Sequence, residues 1–482
     1  MSLLSHLPAG AVRRLRRWML AQGRKADPLR LLSISRERAT RVARWAAQSS
    51  PAYRQLLEEQ GLDPGRVGPS TPWQQLPVLT KTNTFGRFPV ESLSRPLPPS
   101  DLADVLTSSG RGGRSFGFRL TAREQHEEAW FDIDLGLQDV FGVDEKPTLL
   151  VNCLPMGVVF PSRAVTVANV SVREDMACSI LRDIGPRFAQ TLVCTDPLFV
   201  RALLEEGRAA GVDWAALNTS VIVGEEVLVE AQRDHIAAHM GIAIDAPAED
   251  VASRLVGSSY GVGELGLNLL FETRDTIRIR RALRDQPALA AWLCGPSNGA
   301  ALPSLFCFNP LRCFLEVLDP DADGYGELCV TLLDRHAVIP LPRYATGDLA
   351  RILSAADAQQ VARMAGAAVP WLPVVALKGR LKDRQPGLPS VESLKELLYQ
   401  DHHLADQLTG AFRLSTGTDG VAQVTLQAGS ESAAADPGLA ARVTALAARH
   451  GMGDLTVHVV GPADFPWRPR LDYERKFSYL ET

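Results

Sequence analysis

Nine consecutive residues, Thr107-Ser108-Ser109-Gly110-Arg111-Gly112-Gly113-Arg114-Ser115, bring together three glycines, two arginines and a set of hydroxyls. Backbone N–H groups in so flexible a turn, with the hydroxyls, can converge on the oxygens of a phosphate, and arginine adds charge-assisted hydrogen bonds. No G-K-[ST] triplet follows, and Phe116 to Leu120 reads as a strand rather than a helix, so this is not a P-loop of the Walker type. A surface loop rich in Gly, Ser and Arg has the same composition, and the segment alone does not separate the two readings.

Three later segments carry comparable chemistry. Ser258-Ser259-Tyr260-Gly261-Val262-Gly263-Glu264 sets an aromatic ring, a close-approach glycine and a carboxylate within a few residues. The ring could stack on a purine and the carboxylate could hold Mg²⁺ near its phosphates; a strand end with a turn would look the same. Arg343-Tyr344-Ala345-Thr346-Gly347-Asp348-Leu349 offers an Asp after a turn glycine, a fitting acceptor for ribose hydroxyls. Gly379-Arg380-Leu381-Lys382-Asp383 places a guanidinium at a domain border. The seven cysteines include no CxxC pair and are odd in number, which argues for reduced, mostly core thiols. Cys294, Cys307 and Cys313 with His336 could surround zinc if the chain folds back, against the plainer expectation of buried thiols.

The elements that must position these residues follow from pattern. At 482 residues, with 46% hydrophobic and 22% charged side chains, the chain suits two or three folding units and a large core. A net charge of −4 gives no global argument for nucleic acid or an anionic membrane. No apolar stretch approaches the ~18 residues of a bilayer span and no signal core opens the sequence, so the expected location is cytoplasmic. Arg13, Arg14, Arg16 and Arg17 beside Leu15, Trp18 and Leu20 make an amphipathic basic helix, expected to pack its apolar side and solvate its arginines. A helical pattern runs from Arg36 to about Gln60. From about residue 101, apolar runs such as Thr148 to Leu154, Thr191 to Cys194 and Ser220 to Val223 alternate with helical stretches, the arithmetic of an α/β domain. After Gly324, closely spaced strands predict a small antiparallel subdomain. Beyond residue 380 the pattern predicts a compact α+β unit, with helices at Val391 to Tyr399 and Leu439 to His450, strands at Ala411 to Leu414, Gln423 to Gln427 and Leu455 to Val460, and a loop at Ala428 to Gly438. The expected division is thus 1–380 and 381–482.

In order and spacing these segments resemble the adenylate-forming superfamily of acyl-CoA synthetases, adenylation domains and luciferases, and within it the phenylacetate-CoA ligase branch. Leu76-Pro77-Val78-Leu79-Thr80-Lys81 matches the phrase that precedes the branch's S-S-G-T-T-G-K phosphate loop, here Ser108 to Arg114. Gly224-Glu225-Glu226 matches the G-E-P segment that lies against adenine, and Tyr260 to Glu264 matches Y-G-x-T-E. Arg343 to Leu349 matches R-Y-x-T-G-D-L without a gap, and Gly379 to Lys382 matches the hinge motif.

The resemblance implies ATP, Mg²⁺ and coenzyme A as partners of the chain. Ser108, Ser109, Gly110, Gly112, Gly113 and Arg114 would cradle ATP phosphates, with Arg114 in place of the loop's lysine. Gly224, Glu225, Ser259 and Gly261 would border the nucleotide, Tyr260 would stack on adenine, Asp348 and Arg380 would hold the ribose, and Glu264 would ligate Mg²⁺. A substrate carboxylate would attack the α-phosphate, giving acyl-AMP and pyrophosphate. A small C-terminal domain turning at Lys382 would then present the intermediate to coenzyme A, or alternatively to a carrier protein, an amine or a hydroxyl. The family's catalytic lysine corresponds to Lys476, the only lysine in the last eighty residues. The phrase around it departs from the family pattern, a salt bridge with Glu474 is its alternative role, and Arg475 is the fallback. Loss of the Thr-Thr pair and of the Y-G-x-T-E threonine, here Gly263, leaves a non-catalytic nucleotide-binding relative as another reading. The acid is expected to be small and aromatic, a phenylacetate, hydroxybenzoate or aminobenzoate, in an apolar pocket at Phe131, Asn152, Pro155, Met156, Gly157 and Val223.

Overall fold

The computed structural model describes residues 7–107, 116–155, 157–246, 254–295, 302–417, 420–466 and 477–480. The apolar runs Thr148–Asn152, Gln190–Thr195 and Thr219–Val223 are too short for helices and rich in β-branched residues, and they form parallel strands. Successive side chains point to opposite faces. Leu149, Val151 and Val193 therefore pack with Ala177, Cys178, Leu181 and Leu203 of the helices Glu174–Asp183 and Phe199–Ala210. Leu150, Leu192 and Cys194 pack on the other side with Leu137 of the helix Ala129–Phe141. Both faces are covered, as parallel strands require.

These strands belong to an 11-stranded sheet. Its order is Cys313–Leu318, Gly326–Leu332, Tyr344–Ile352, Val374–Arg380, Ser304–Phe308, Gly266–Phe271, Val256–Val262, Thr219–Val223, Gln190–Thr195, Thr148–Asn152 and Thr166–Asn169. The strands after Gly324 pair antiparallel, as their spacing predicts, and they do so as a continuation of the large sheet. The cause is the strand Val256–Val262. Its first half pairs in parallel with Thr219–Val223 (Val221↔Val256) and its second half antiparallel with Gly266–Phe271 (Tyr260↔Leu270), which welds a parallel half to an antiparallel half.

A buried ionic cluster supports that seam. Glu230 opens the helix Glu230–Met240, and one turn on Arg233 donates to it at 3.0 and 3.1 Å and to Glu272 at 2.8 and 3.0 Å. Arg280 adds a second guanidinium, 3.2 Å from Glu230, and donates to the Leu228 carbonyl at 2.7 Å. Two carboxylates thus meet two fully buried guanidiniums. Glu272 also accepts the Ser258 N–H at 2.8 Å, in the middle of the seam strand.

The N-terminal helices are Ala9–Gly23, Pro28–Ser49 and Pro51–Glu59. The continuous stretch expected from Arg36 to Gln60 breaks at Pro51, which has no N–H to donate, and Ser50 caps the new helix by accepting from the Tyr53 N–H. The basic helix differs from its expectation at two residues: Arg16 is buried, paired with Asp134 and Asp144, and Trp18, expected on the packed side, is exposed, as are Arg13, Arg14 and Arg17. A buried Arg343, in a left-handed conformation (φ 52°), ties this region to the sheet. It donates to Glu316 Oε1 at 2.7 Å and to the carbonyls of Gln74 and Leu76 at 3.1 and 2.5 Å. Leu79 then bridges Tyr344 as a short parallel extension.

Beyond Arg380, the elements gather around another sheet of three strands, Leu408–Thr416, Ala422–Ala428 and Thr456–Val460. The helices Val391–Gln400, His402–Gln407 and Pro437–Arg449 cover it, and the segment expected as a loop at 428–438 contains the short helix Glu431–Ala434. The proposed zinc set is not assembled. Cys307 and Cys313 lie on strands separated by three others, about 19 Å at ~4.8 Å per strand, and all seven thiols are buried and free. Among the described residues, no helix is long and apolar enough to cross a membrane.

Replacing Arg233 with Met leaves two buried carboxylates against one fully buried guanidinium. Removing one partner of such a pair costs about 3–5 kcal/mol. Urea unfolding is expected to show a midpoint lowered accordingly with its slope retained; a change under ~1 kcal/mol would show the cluster to be dispensable.

Candidate active site

The strand Val256–Val262 sends alternate residues to two places. Tyr260 points toward Asp348 and donates its hydroxyl to Asp348 Oδ2 at 2.6 Å. Asp348 stands directly opposite Arg380 across the strands Tyr344–Ile352 and Val374–Arg380, with Arg380 Nε 3.7 Å from Oδ1. Gly347 turns the carboxylate into position, its φ of 78° being one that glycine adopts without strain, and its N–H is held by Glu327 at 3.0 Å. Burial, reinforced by the Asp348 charge, raises the Tyr260 phenol well above its usual value, so it stays a donor at neutral pH. The phenol, carboxylate and guanidinium expected at adenine and ribose are therefore one group, joined by a hydrogen bond and an ion pair, at the last residue of the large sheet.

Ser259 and Gly261, of opposite parity, face a cavity of about 1030 Å³ together with Gly224 and Glu225. Gly261 has to be glycine: a Cβ there would lie 2.9 Å from Gly266 O and from Leu267 Cα. Ile133, Leu137, Leu154, Phe160, Cys194 and Ile222 supply apolar wall. Arg119, Gln125, Asp132, Arg312 and Asp334 supply a polar rim. Burial, with Arg312 nearby, lowers the affinity of the Arg119 guanidinium for its proton. Of the expected pocket residues, Gly157 lines the cavity, whereas Phe131, Asn152, Pro155 and Val223 lie behind its wall. Phe131 packs on Trp130 and Val12, and Val223 belongs to the core under the sheet. Asn152 shapes the turn beneath the wall, donating to Val158 O at 2.7 Å and Asn169 Oδ1 at 2.8 Å and accepting from the Leu154 N–H.

Glu264 is buried beside Lys81, whose Nζ is 3.5 Å from Oε1, and the Tyr344 hydroxyl bonds to the same carboxylate. Gly117 presses against it, so closely that a Cβ would come within 2.2 Å of Oε1. The chain leaving the Gly/Ser/Arg segment is thereby brought onto the expected metal carboxylate. Ser108, Ser109, Gly110, Gly112, Gly113, Arg114, Met156, Arg475 and Lys476 lie outside the described residues.

Sequence reasoning passed over the side chains that join the two units here. Lys395 donates to Glu226 Oε2 at 2.8 Å, and the Tyr479 hydroxyl donates to the same oxygen at 2.6 Å. The Lys395 ammonium also sits 4.5 Å from the Tyr479 ring centre. Lys395 did leave a signal, a charge within the apolar stripe of Val391, Leu394 and Leu398 at helical spacing. Arg119 and Arg312 left none. Asp196, on the far side of Glu226, caps the turn at Leu198. Burial, and then the Glu226 charge, push its carboxyl up to about 8.

A raised carboxyl means that the folded state holds a proton the unfolded chain has lost. The stability Asp196 contributes is full below about pH 4 and disappears as pH rises toward 8. Asp196→Asn keeps the acceptor for Leu198 and removes the titration. Its melting temperature is expected to depend less on pH between 5 and 8 than that of the parent, with the largest gain at the alkaline end; parallel profiles would place the Asp196 charge elsewhere.

No family model matches the chain. Over 338 residues it is 23% identical to a phenylacetate-coenzyme A ligase of Thermus thermophilus, a match covering 66% of this chain and 65% of that protein. The chain thus spans just under two thirds of that relative's length. A 2-hydroxyisobutyryl-CoA ligase in the postadenylation state, in complex with R3-HIB-AMP, superposes with a TM-score of 0.62 at 14% identity, covering 94% of this chain and 89% of that one. An open conformation of 2-hydroxyisobutyryl-CoA ligase in complex with 2-HIB-AMP and CoA gives 0.51 at 14% identity, over 94% and 91%. These structures share the fold, a large mixed sheet with a small C-terminal sheet beside it. The chain is thus similar in sequence to a phenylacetate-coenzyme A ligase and shares its fold with 2-hydroxyisobutyryl-CoA ligase.

Proposed function

We propose that this protein is an ATP-dependent, AMP-forming ligase that adenylates a small carboxylic acid and passes the acyl group to coenzyme A. The observation that carries the reading is that one strand, Val256–Val262, sends Tyr260 to the Asp348–Arg380 pair and its neighbours Ser259 and Gly261 to a cavity of about 1030 Å³. Asp348 and Arg380 offer an acceptor and a donor to ribose hydroxyls, and Tyr260 offers a ring face to the base. The apolar wall of Leu137, Leu154, Phe160 and Ile222 suits a flat apolar acid, which supports an aromatic substrate.

The chemistry needs no protein nucleophile. A carboxylate oxygen attacks the α-phosphorus, the bridging P–O bond to pyrophosphate breaks, and a thiol then displaces AMP from the acyl carbon. The chain supplies positioning and charge stabilisation. Ser108, Ser109, Gly110, Gly112, Gly113 and Arg114 hold the triphosphate, and Lys476 meets the charge developing at the transferred oxygen. Glu264, a buried carboxylate beside the end of that loop, fits a hard cation and would hold Mg²⁺, which supplies neutralisation of phosphate charge. Lys81, now its ion-pair partner, is placed to meet a phosphate oxygen. Residues 381–482 serve as the mobile domain, turning at Lys382.

Pyrophosphate release from MgATP across a panel of aryl and alkyl acids, with and without coenzyme A, tests the reading. One aryl acid is expected to support turnover that becomes thioester formation when coenzyme A is present. Lys476→Ala should lower adenylation about 10²- to 10³-fold with ATP affinity little changed, and Asp348→Ala should weaken ATP binding about tenfold or more. Nucleotide binding without turnover on any acid would instead make the protein a non-catalytic relative.

A further inference from the structure

Away from the cavity, two helices from the two units bring four candidate metal ligands face to face. On Glu230–Met240 of the large unit, His235 and His239 are four residues apart and share a helix face. On His402–Gln407 of the small unit, His402 and Asp406 have the same spacing. The Nε2 atoms of His235 and His239 are 3.2 Å apart, and Asp406 Oδ1 lies 3.0 Å from the first and 2.8 Å from the second. The His402 ring stands edge-on to His235 at 5.3 Å between centres. Among the described residues, His235, His239 and Asp406 are the one cluster whose ligand atoms converge in this way.

We infer that His235, His239 and Asp406 form a binding site for a divalent transition metal, Zn²⁺ by donor type, that clips the two units together. Zinc takes nitrogen and oxygen ligands at about 2.0–2.2 Å in a tetrahedron, whose donor atoms are then roughly 3.3 Å apart. The three donor atoms here are already within about half an ångström of that triangle, held by two packed helices. Two imidazoles and one carboxylate favour zinc over Mg²⁺ or Ca²⁺, which prefer oxygen. A water can take the fourth position. Access is open, since the His239 side chain is 22% and the Asp406 side chain 46% exposed. The site uses no residue assigned to the reaction. Its effect would be conformational: a metal that binds only when the helices face each other favours this arrangement over any that separates them.

The test uses the full-length protein, stripped with EDTA and desalted. Titration calorimetry with ZnCl₂ is expected to give one equivalent bound at micromolar affinity or tighter, and CoCl₂ should produce the intense visible bands of tetrahedral Co²⁺. ZnCl₂ should raise the melting temperature, and MgCl₂ should not. His239→Gln and Asp406→Asn, partly exposed substitutions that preserve the fold by circular dichroism, should each weaken Zn²⁺ binding at least tenfold and abolish the thermal shift. Absence of stoichiometric Zn²⁺ binding in the parent, or binding that survives both substitutions, would overturn the site and leave a hydrogen-bonded trio.

Discussion

Two guanidiniums and two carboxylates, closed off from water behind the strand Val256–Val262, are the constraint around which this molecule is arranged. The strand changes pairing sense midway, and at such a point neither a parallel nor an antiparallel ladder dictates where the backbone goes. Glu272 settles it by holding the Ser258 N–H, while Arg233 and Arg280 hold Glu272 and the start of the preceding helix, Glu230–Met240. The residues just past Ser258 are those that face the cavity and Asp348. A buried ion cluster contributes little net stability compared with apolar packing, but it fixes one geometry, because any shift leaves a charge unpaired. That is the property a site built from the two sides of a single strand requires.

The second level of order is the contact between the two units. Glu226, two residues past the glycine on the cavity wall, is held by Lys395 and Tyr479 of the small unit. The loop that borders the cavity and the docking of the small unit therefore share one carboxylate. Arg201 donates to the Leu408 carbonyl, and Glu396 accepts the Ala231 N–H at 3.1 Å, so charged and polar groups line this contact beside Leu198 and Tyr399. An interface of that mixed character separates at lower cost than an apolar core.

Much of the fold was legible because the relevant signals are local. Short apolar runs gave the parallel strands, and Gly261 and Gly379 marked positions where close approach leaves no room for a side chain, Gly347 one where the backbone conformation favours glycine. The ordered motifs carried the family resemblance for the same reason: each is a contiguous segment. What escaped was set by pairing across distance. Nothing near Arg16 announces Asp134 and Asp144 more than a hundred residues later, and spacing alone could not tell an added sheet from an extension of the first. The pocket expectation went to residues adjacent in sequence to the wall. Which of Asn152, Leu154 and Gly157 faces the cavity depends on the turn that Asn152 itself builds.

The cysteines have a consequence for watching the protein move. All seven lie between residues 153 and 329, every one is buried, and burial pushes their thiols upward, away from the reactive thiolate. The native surface therefore gives a maleimide almost nothing to modify, and slow labelling becomes a clock for opening of the large unit alone. The small unit is silent to such a reagent. A single cysteine introduced on its exposed face would be the one fast-reacting thiol in the molecule, so a dye placed there would report on the small unit with no background from the rest.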